Sequence, residues 1–107
     1  VSAGVYGSKQ LTIPSMYVDH GCFLHLAEAV KQVVDIPVIG VGRIKSPELA
    51  DRVIKEGQAD VVAMGRALIA DPMLPEKALA GDLKAIRPCI GCCLGCIERV
   101  SRAASVG

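Results

Sequence analysis

Two stretches, Val38-Ile39-Gly40-Val41-Gly42-Arg43-Ile44 and Val61-Val62-Ala63-Met64-Gly65-Arg66-Ala67, decide the fold. Each is a short apolar run that ends on Gly-Arg, and the second follows the first by one βα unit. A continuous apolar run, rather than an alternating one, is expected where a strand is buried on both faces, as in a parallel sheet covered by helices.

The segments around these runs read as helices. Between them, Ser46 is placed as an N-cap, with Pro47 at the first helical position and Glu48 behind it. Leu49, Ala50, Val53 and Ile54 form the stripe this helix buries, and Asp51 and Lys55 make an i, i+4 pair on its outer face. Gly57 is the stop. Upstream, a helix should begin near Cys22 to His25, with Leu26, Ala29, Val30, Val33 and Val34 as its apolar stripe. Asp35-Ile36-Pro37 ends it, because proline lacks a donor and pushes the residue before it towards extended geometry. Downstream, a short helix through Ala67-Leu68-Ile69 is broken by Asp71-Pro72, and another around Pro75 to Ala80 stops at Gly81. Val1 to Val5 reads as a strand, Tyr6 to His20 as a long loop, and Glu98 to Ala104 as a helix without a clear start or stop. The alternation of strand and helix implies parallel strands with right-handed crossovers, either a doubly wound sheet or a slice of a (βα)8 barrel.

Composition narrows the function. The 107 residues suit one small domain at most, and a net charge of +1 points neither to nucleic acid nor to an anionic membrane. Aromatic residues make up 3%, too few for stacking platforms that hold single strands. No apolar run reaches the ~18 residues of a membrane span, and no secretory signal is recognisable. Clustered cysteines fit a reducing, cytoplasmic setting and metal binding better than a disulfide frame. The chain opens on Val1 inside an apparent strand and stops at Gly107 without a helix stop, so an internal piece of a longer protein is expected.

Functional groups in parallel α/β sheets collect at the carboxyl ends of strands, where both Gly-Arg pairs fall. Glycine there lets backbone N–H groups approach a phosphate, and arginine offers a fork that matches phosphate oxygens. The helix after Gly65-Arg66 adds its positive end. A single Gly-Arg is more often an ordinary surface or salt-bridging arginine. Repetition in register marks Arg66 as a phosphate ligand and leaves Arg43 balanced between the two roles. Gly40 could serve simply to admit a helix closely.

Four of the five cysteines lie between Cys89 and Cys96. Cys89, Cys92 and Cys96 make a C-x2-C-x3-C run, with Gly91 and Gly95 allowing tight turns around a bound centre. Soft thiolates at this spacing select an iron–sulfur cluster, or alternatively zinc in a structural or binding module without redox activity. Buried or free thiols are the plain alternative, made improbable by the density of the run. Cys93 adjoins Cys92, and neighbours seldom point at one centre. Cys22 stands apart near a helix start.

P-V-I-G-V-G-R-I, A-D-V-V-A-M-G-R-A-L-I-A-D-P and R-P-C-I-G-C-x-x-G-C together resemble the old yellow enzyme family. More narrowly they resemble its iron–sulfur branch, the 2,4-dienoyl-CoA reductases, trimethylamine dehydrogenases and related NADH:flavin oxidoreductases. The resemblance implies an α/β fold that is the C-terminal portion, about the last three βα units, of a TIM (β/α)8 barrel. Residues 1–86 would supply these units and 87–107 the start of a cluster-binding segment. It implies FMN with its phosphate near Gly42, Arg43, Gly65 and Arg66, and a [4Fe–4S] cluster on Cys89, Cys92 and Cys96 that relays electrons to the flavin. It also implies a small-molecule substrate, an activated C=C bond or an amine. NAD(P)H, with FAD, would be handled by a downstream nucleotide-binding domain outside this chain.

The sequence departs from the family pattern in three places. Cys93 stands where the family usually has Asn, the family's fourth cysteine falls past Gly107, and Tyr6-Gly7 stands near the Trp-His pair of the dienoyl-CoA reductases. His20 and His25 are weak catalytic candidates, more often structural or solvated. Alone, the piece would be inactive and would self-associate through open strand edges and apolar patches.

Overall fold

The computed structural model describes residues 1–105. A 3-10 turn, Tyr6–Ser8, leads into the short helix α1 (Lys9–Thr12), and α2 (Leu24–Lys31) follows. Strand β1 (Ile39–Gly40), helix α3 (Pro47–Lys55) and strand β2 (Val61–Val62) then form a βαβ unit. After it come α4 (Gly65–Ala70), α5 (Leu74–Leu79), a 3-10 turn at Leu83–Ala85, a π-helical turn at Leu94–Glu98 and α6 (Arg99–Ser101).

The two strands pair in parallel, Ile39 opposite Val61 and Gly40 opposite Val62. The ladder runs past the strand ends: the Asp60 N–H donates to the Val38 carbonyl and the Ala63 N–H to the Gly40 carbonyl, each at 2.9 Å. The Asp60 side chain adds to it by accepting the Val38 N–H at 2.9 Å and the Lys31 ammonium. Those bonds, that from Lys31 foremost, hold its carboxyl below the usual carboxylate range.

Helix α3 forms as its sequence dictates. The Ser46 hydroxyl accepts the Leu49 N–H at 3.3 Å, Pro47 opens the first turn, and Lys55 reaches Asp51 at 2.6 Å on the exposed side. Gly57 and Gly81 follow α3 and α5 at φ of +72° and +76°, the left-handed geometry that stops a helix. The core gathers Leu24, Ile44, Val53 and Ala59, with Leu49, Ala50, Val62 and Met64 against it, and Val53 is fully buried. Gly40 is where α2 approaches the sheet: a Cβ there would sit 3.0 Å from Ala59 Cβ and 3.1 Å from Leu24 Cδ2.

Four expectations change. Val1 to Val5 is not a strand. Gly4 turns the chain at φ +103° back onto the Thr12 backbone, and Thr12 Oγ1 donates to the Val5 carbonyl at 3.0 Å, so the run is folded on itself. The Val1 amino group nonetheless donates to the Ile39 carbonyl, beside β1. Residues 6–20 are not one long loop, since they contain α1. The strands are covered on one side only: Val38 and Gly40 are buried, whereas Ile39 is 51% and Val61 48% exposed. Finally, α2 packs through Leu24 and Ala27 behind the buried Phe23, while Val30 and Val33 are exposed. The helix ends at Lys31, so the apolar period counted through Val33 and Val34 continues past the last helical turn. Among the described residues no helix is long and apolar enough to cross a membrane.

Candidate functional site

The carboxyl ends of β1 and β2 open into a cavity of about 300 Å³. Gly42, Arg43, Gly65, Arg66, Cys89 and Gly91 all contribute to its wall. Both Gly-Arg turns therefore meet at one place, and the cysteine segment reaches it. Local backbone geometry explains the first turn. Gly42, at φ +132°, passes so near the start of α2 that a Cβ would lie 3.0 Å from the Phe23 nitrogen. Arg43 follows at φ +52°, a left-handed position that a long side chain occupies only where its surroundings hold it. At the second turn Gly65 begins α4, and the place a Cβ would take has no atom within 4 Å.

The arginines are held by one short segment. Arg66 Nη2 donates to the Pro14 carbonyl at 2.7 Å, and Arg43 Nη1 donates to the Met16 carbonyl at 3.4 Å. The Met16 N–H in turn donates to the Gly91 carbonyl at 2.9 Å. Arg66 Nη1 also reaches Cys93 Sγ at 3.1 Å. A guanidinium has five N–H donors; among the described residues these two bonds use two, leaving the rest for an anion. Two partly committed cations, an open glycine and a cavity between them suit the phosphate end of a cofactor.

The cysteines are arranged differently from a closed ligand set. Cys89, Cys92, Cys93 and Cys96 are half-buried free thiols, and Cys89 lines the cavity. Among the described residues no three His, Cys, Asp or Glu side chains are gathered to hold a metal ion. Cys93 takes φ +62° ahead of the π-helical turn that carries Cys96. The donor chemistry of Cys89, Cys92 and Cys96 suits a cluster; their present placement does not enclose one. Cys22 is also half-buried, and burial pushes its thiol up from the usual value.

Asp71 was legible in the sequence only as a helix breaker, yet among the described residues it is the buried charged one, 5% exposed. Its carboxylate accepts the Lys77 ammonium at 2.6 Å, the Arg87 N–H at 2.9 Å and the Met73 N–H at 3.1 Å. Lys77 goes on to the Ala85 carbonyl at 3.0 Å. The approach to the cysteine run is thereby tied to α4 and α5. The Lys77 bond, then that from Arg87, holds the carboxyl below the usual range. The signal available was an Asp-Pro ahead of a Pro-initiated helix with a lysine in its last turn.

The histidines stand elsewhere. His20 and His25 line a separate polar groove of about 480 Å³ with Glu28, Arg52 and Glu56. His20 is mostly exposed; what burial it has, with Lys45 and Arg43 nearby, lowers its pKa from the usual imidazole value. Neither histidine lines the cavity of the two arginines.

The sequence profile of the NADH:flavin oxidoreductase / NADH oxidase family matches residues 14–84, which include both Gly-Arg turns. The chain belongs to this family. An NADH oxidase of Thermoanaerobacter brockii is 50% identical over 97 residues, covering 91% of this chain and 15% of that protein. The structure of 6-hydroxypseudooxynicotine amine oxidase from Pseudomonas geniculata N1 matches 99% of this chain and 15% of its own, with a TM-score of 0.88 at 33% identity. A 2-naphthoyl-CoA reductase in complex with 2-naphthoyl-CoA gives a TM-score of 0.89 at 32% identity, over 99% of this chain and 16% of that one. The chain thus spans about 15% of the length of the curated family members it matches.

Proposed function

We propose that this chain carries the phosphate end of an FMN site in a flavin-dependent oxidoreductase. The observation that supports it is the meeting of Gly42-Arg43 and Gly65-Arg66 on one cavity at the carboxyl ends of paired parallel strands. Arg66, and Arg43 beside it, would neutralise the phosphate, and Gly65 would let it approach the backbone. Bound FMN supplies hydride and single-electron chemistry, while the chain fixes where the cofactor sits. The exposed Ile39 and Val61 pair would face the interior of a TIM barrel of which these are the last βα units.

Cys89, Cys92 and Cys96 would bind a [4Fe–4S] cluster once turned towards one another, completed by a ligand from elsewhere. The reading for the whole protein is reduction of an activated C=C bond or oxidation of an amine, with NAD(P)H as the nicotinamide partner. Relatives named as a naphthoyl-CoA reductase and an amine oxidase support both substrate classes. In the complete polypeptide, Arg66→Ala should weaken FMN binding by about 1.5–3 kcal/mol, the range of a hydrogen bond to a charged group. Unchanged flavin affinity, read by quenching of flavin fluorescence, would remove the assignment.

A further inference from the structure

The Arg66 guanidinium is gripped from two sides by residues far apart in sequence, the Pro14 carbonyl and Cys93 Sγ. The thiol of Cys93 is itself oriented, since it donates to the Gly91 carbonyl at 3.7 Å. Its proton is thus directed away from Arg66, and its sulfur lone pairs face the guanidinium. The Gly91 carbonyl also accepts the Met16 N–H, which fixes the acceptor in place. Cys93 reaches this position by adopting φ +62°, which costs a non-glycine residue strain and is held only by surrounding contacts. Cys93 is therefore placed by its neighbours, half-buried, with its one side-chain acceptor on Arg66.

We propose that Cys93 is a positioning residue for the flavin phosphate site, holding the plane of the Arg66 guanidinium so that its unused N–H groups face the phosphate. This rests on the reading of Arg66 as a phosphate ligand. A guanidinium binds phosphate through a flat, forked edge, so its orientation matters as well as its charge. Pro14 alone fixes one nitrogen and leaves the plane free to swing. The sulfur on Nη1 provides the second fixed point. No role as a metal ligand is required of Cys93, and its position beside Cys92 links the cysteine segment to the cradle.

The test is FMN titration of the deflavinated full-length protein carrying Cys93→Gly, Cys93→Asn, Arg66→Ala or Arg66→Ala with Cys93→Gly. Glycine relieves the left-handed strain but removes the acceptor, so Cys93→Gly should weaken FMN binding roughly threefold to tenfold, as for loss of one hydrogen bond. Asparagine tolerates the left-handed backbone and offers a carbonyl acceptor, so Cys93→Asn should bind nearly as the parent does. In the Arg66→Ala background, Cys93→Gly should bring no further loss. Parent-like affinity of Cys93→Gly beside a weakened Arg66→Ala overturns the positioning role alone. A loss from Cys93→Gly that persists in the Arg66→Ala background overturns it too, because the effect then does not pass through Arg66. If Arg66→Ala binds FMN normally, the phosphate reading falls first and the positioning role with it.

Discussion

The Asp71 carboxylate accepts the backbone N–H of Arg87 at 2.9 Å, so the residue that ends α4 also fixes the chain just ahead of the cysteine run. Lys77 completes the arrangement by binding the same oxygen at 2.6 Å and the Ala85 carbonyl at 3.0 Å. One carboxylate thus sets the distance between the second Gly-Arg turn and the cysteines.

Asp71→Asn should destabilise the protein and loosen the cysteine segment. An amide offers one acceptor oxygen where the carboxylate uses two, so the Arg87 or the Met73 N–H must go unpaired. The pH dependence has a definite sign. The Asp71 pKa is depressed in the folded protein, so its contribution is present above the ordinary carboxylate value of about 3.9. That contribution is lost as pH falls through the folded value. Urea midpoints measured from neutral pH down to acid should fall more steeply for the parent than for Asp71→Asn. Parallel curves would show that the carboxylate charge does not stabilise the fold.

Gly40→Ala should cost about 1–3 kcal/mol, the range for an extra methyl forced into a packed contact. The new Cβ meets Ala59 Cβ at 3.0 Å, and a methyl attached to backbone cannot swing aside. Adding Ala59→Gly should return part of the loss, because it removes that contact. Chemical denaturation of the single and double variants checks this; a double variant weaker than both singles would place the strain elsewhere.

Serine at Cys92 should lower iron content sharply, whereas serine at Cys22 should not. Cys22 does not lie in the C-x2-C-x3-C run but stands just ahead of α2, 67 positions before Cys89. Iron and zinc analysis of the anaerobically purified full-length variants, with visible absorption, gives the answer. Equal iron loss from both substitutions would mean the ligands are mis-sorted, and zinc in colourless protein would favour a structural centre.

The 107-residue chain expressed by itself should associate. Ile39 and Val61, paired across the sheet, expose an apolar face, and Leu79, Ile90 and Leu94 add further exposed apolar surface. Sedimentation at several concentrations should give a mass that rises with concentration. A constant monomer mass with cooperative unfolding would contradict this and show an independent domain.

The βαβ unit was legible because its signals are local. Ser46-Pro47 starts α3, Gly57 stops it, and the apolar runs on either side mark the strands. The two Gly-Arg turns could be placed at one cavity for the same reason, since parallel strands put their carboxyl ends together. What the sequence hid depends on distant partners. The one-sided burial of Ile39 and Val61 follows from what packs against the sheet, not from the run itself. The stripe on α2 was misplaced because valines continue past the helix end. Asp71 and the Pro14 and Cys93 contacts of Arg66 join segments 16 to 52 residues apart, and no local pattern encodes them.

The separation of these contacts along the chain also orders assembly. The ladder from Val38 to Ala63, with Ile44, Val53 and Ala59 behind it, closes within one short stretch and should form early. The bonds from Arg66 to the Pro14 carbonyl and from the Met16 N–H to the Gly91 carbonyl close much longer loops and should form late. Pulsed hydrogen exchange during refolding of the full-length protein should therefore protect the Ala63 amide before that of Met16; simultaneous protection would show a single concerted step. Substitutions at an edge completed last should speed unfolding more than they slow folding, because its contacts form after the rate-limiting step. If this edge is the proposed FMN phosphate site, FMN added during refolding should bring forward the protection of the Met16 amide.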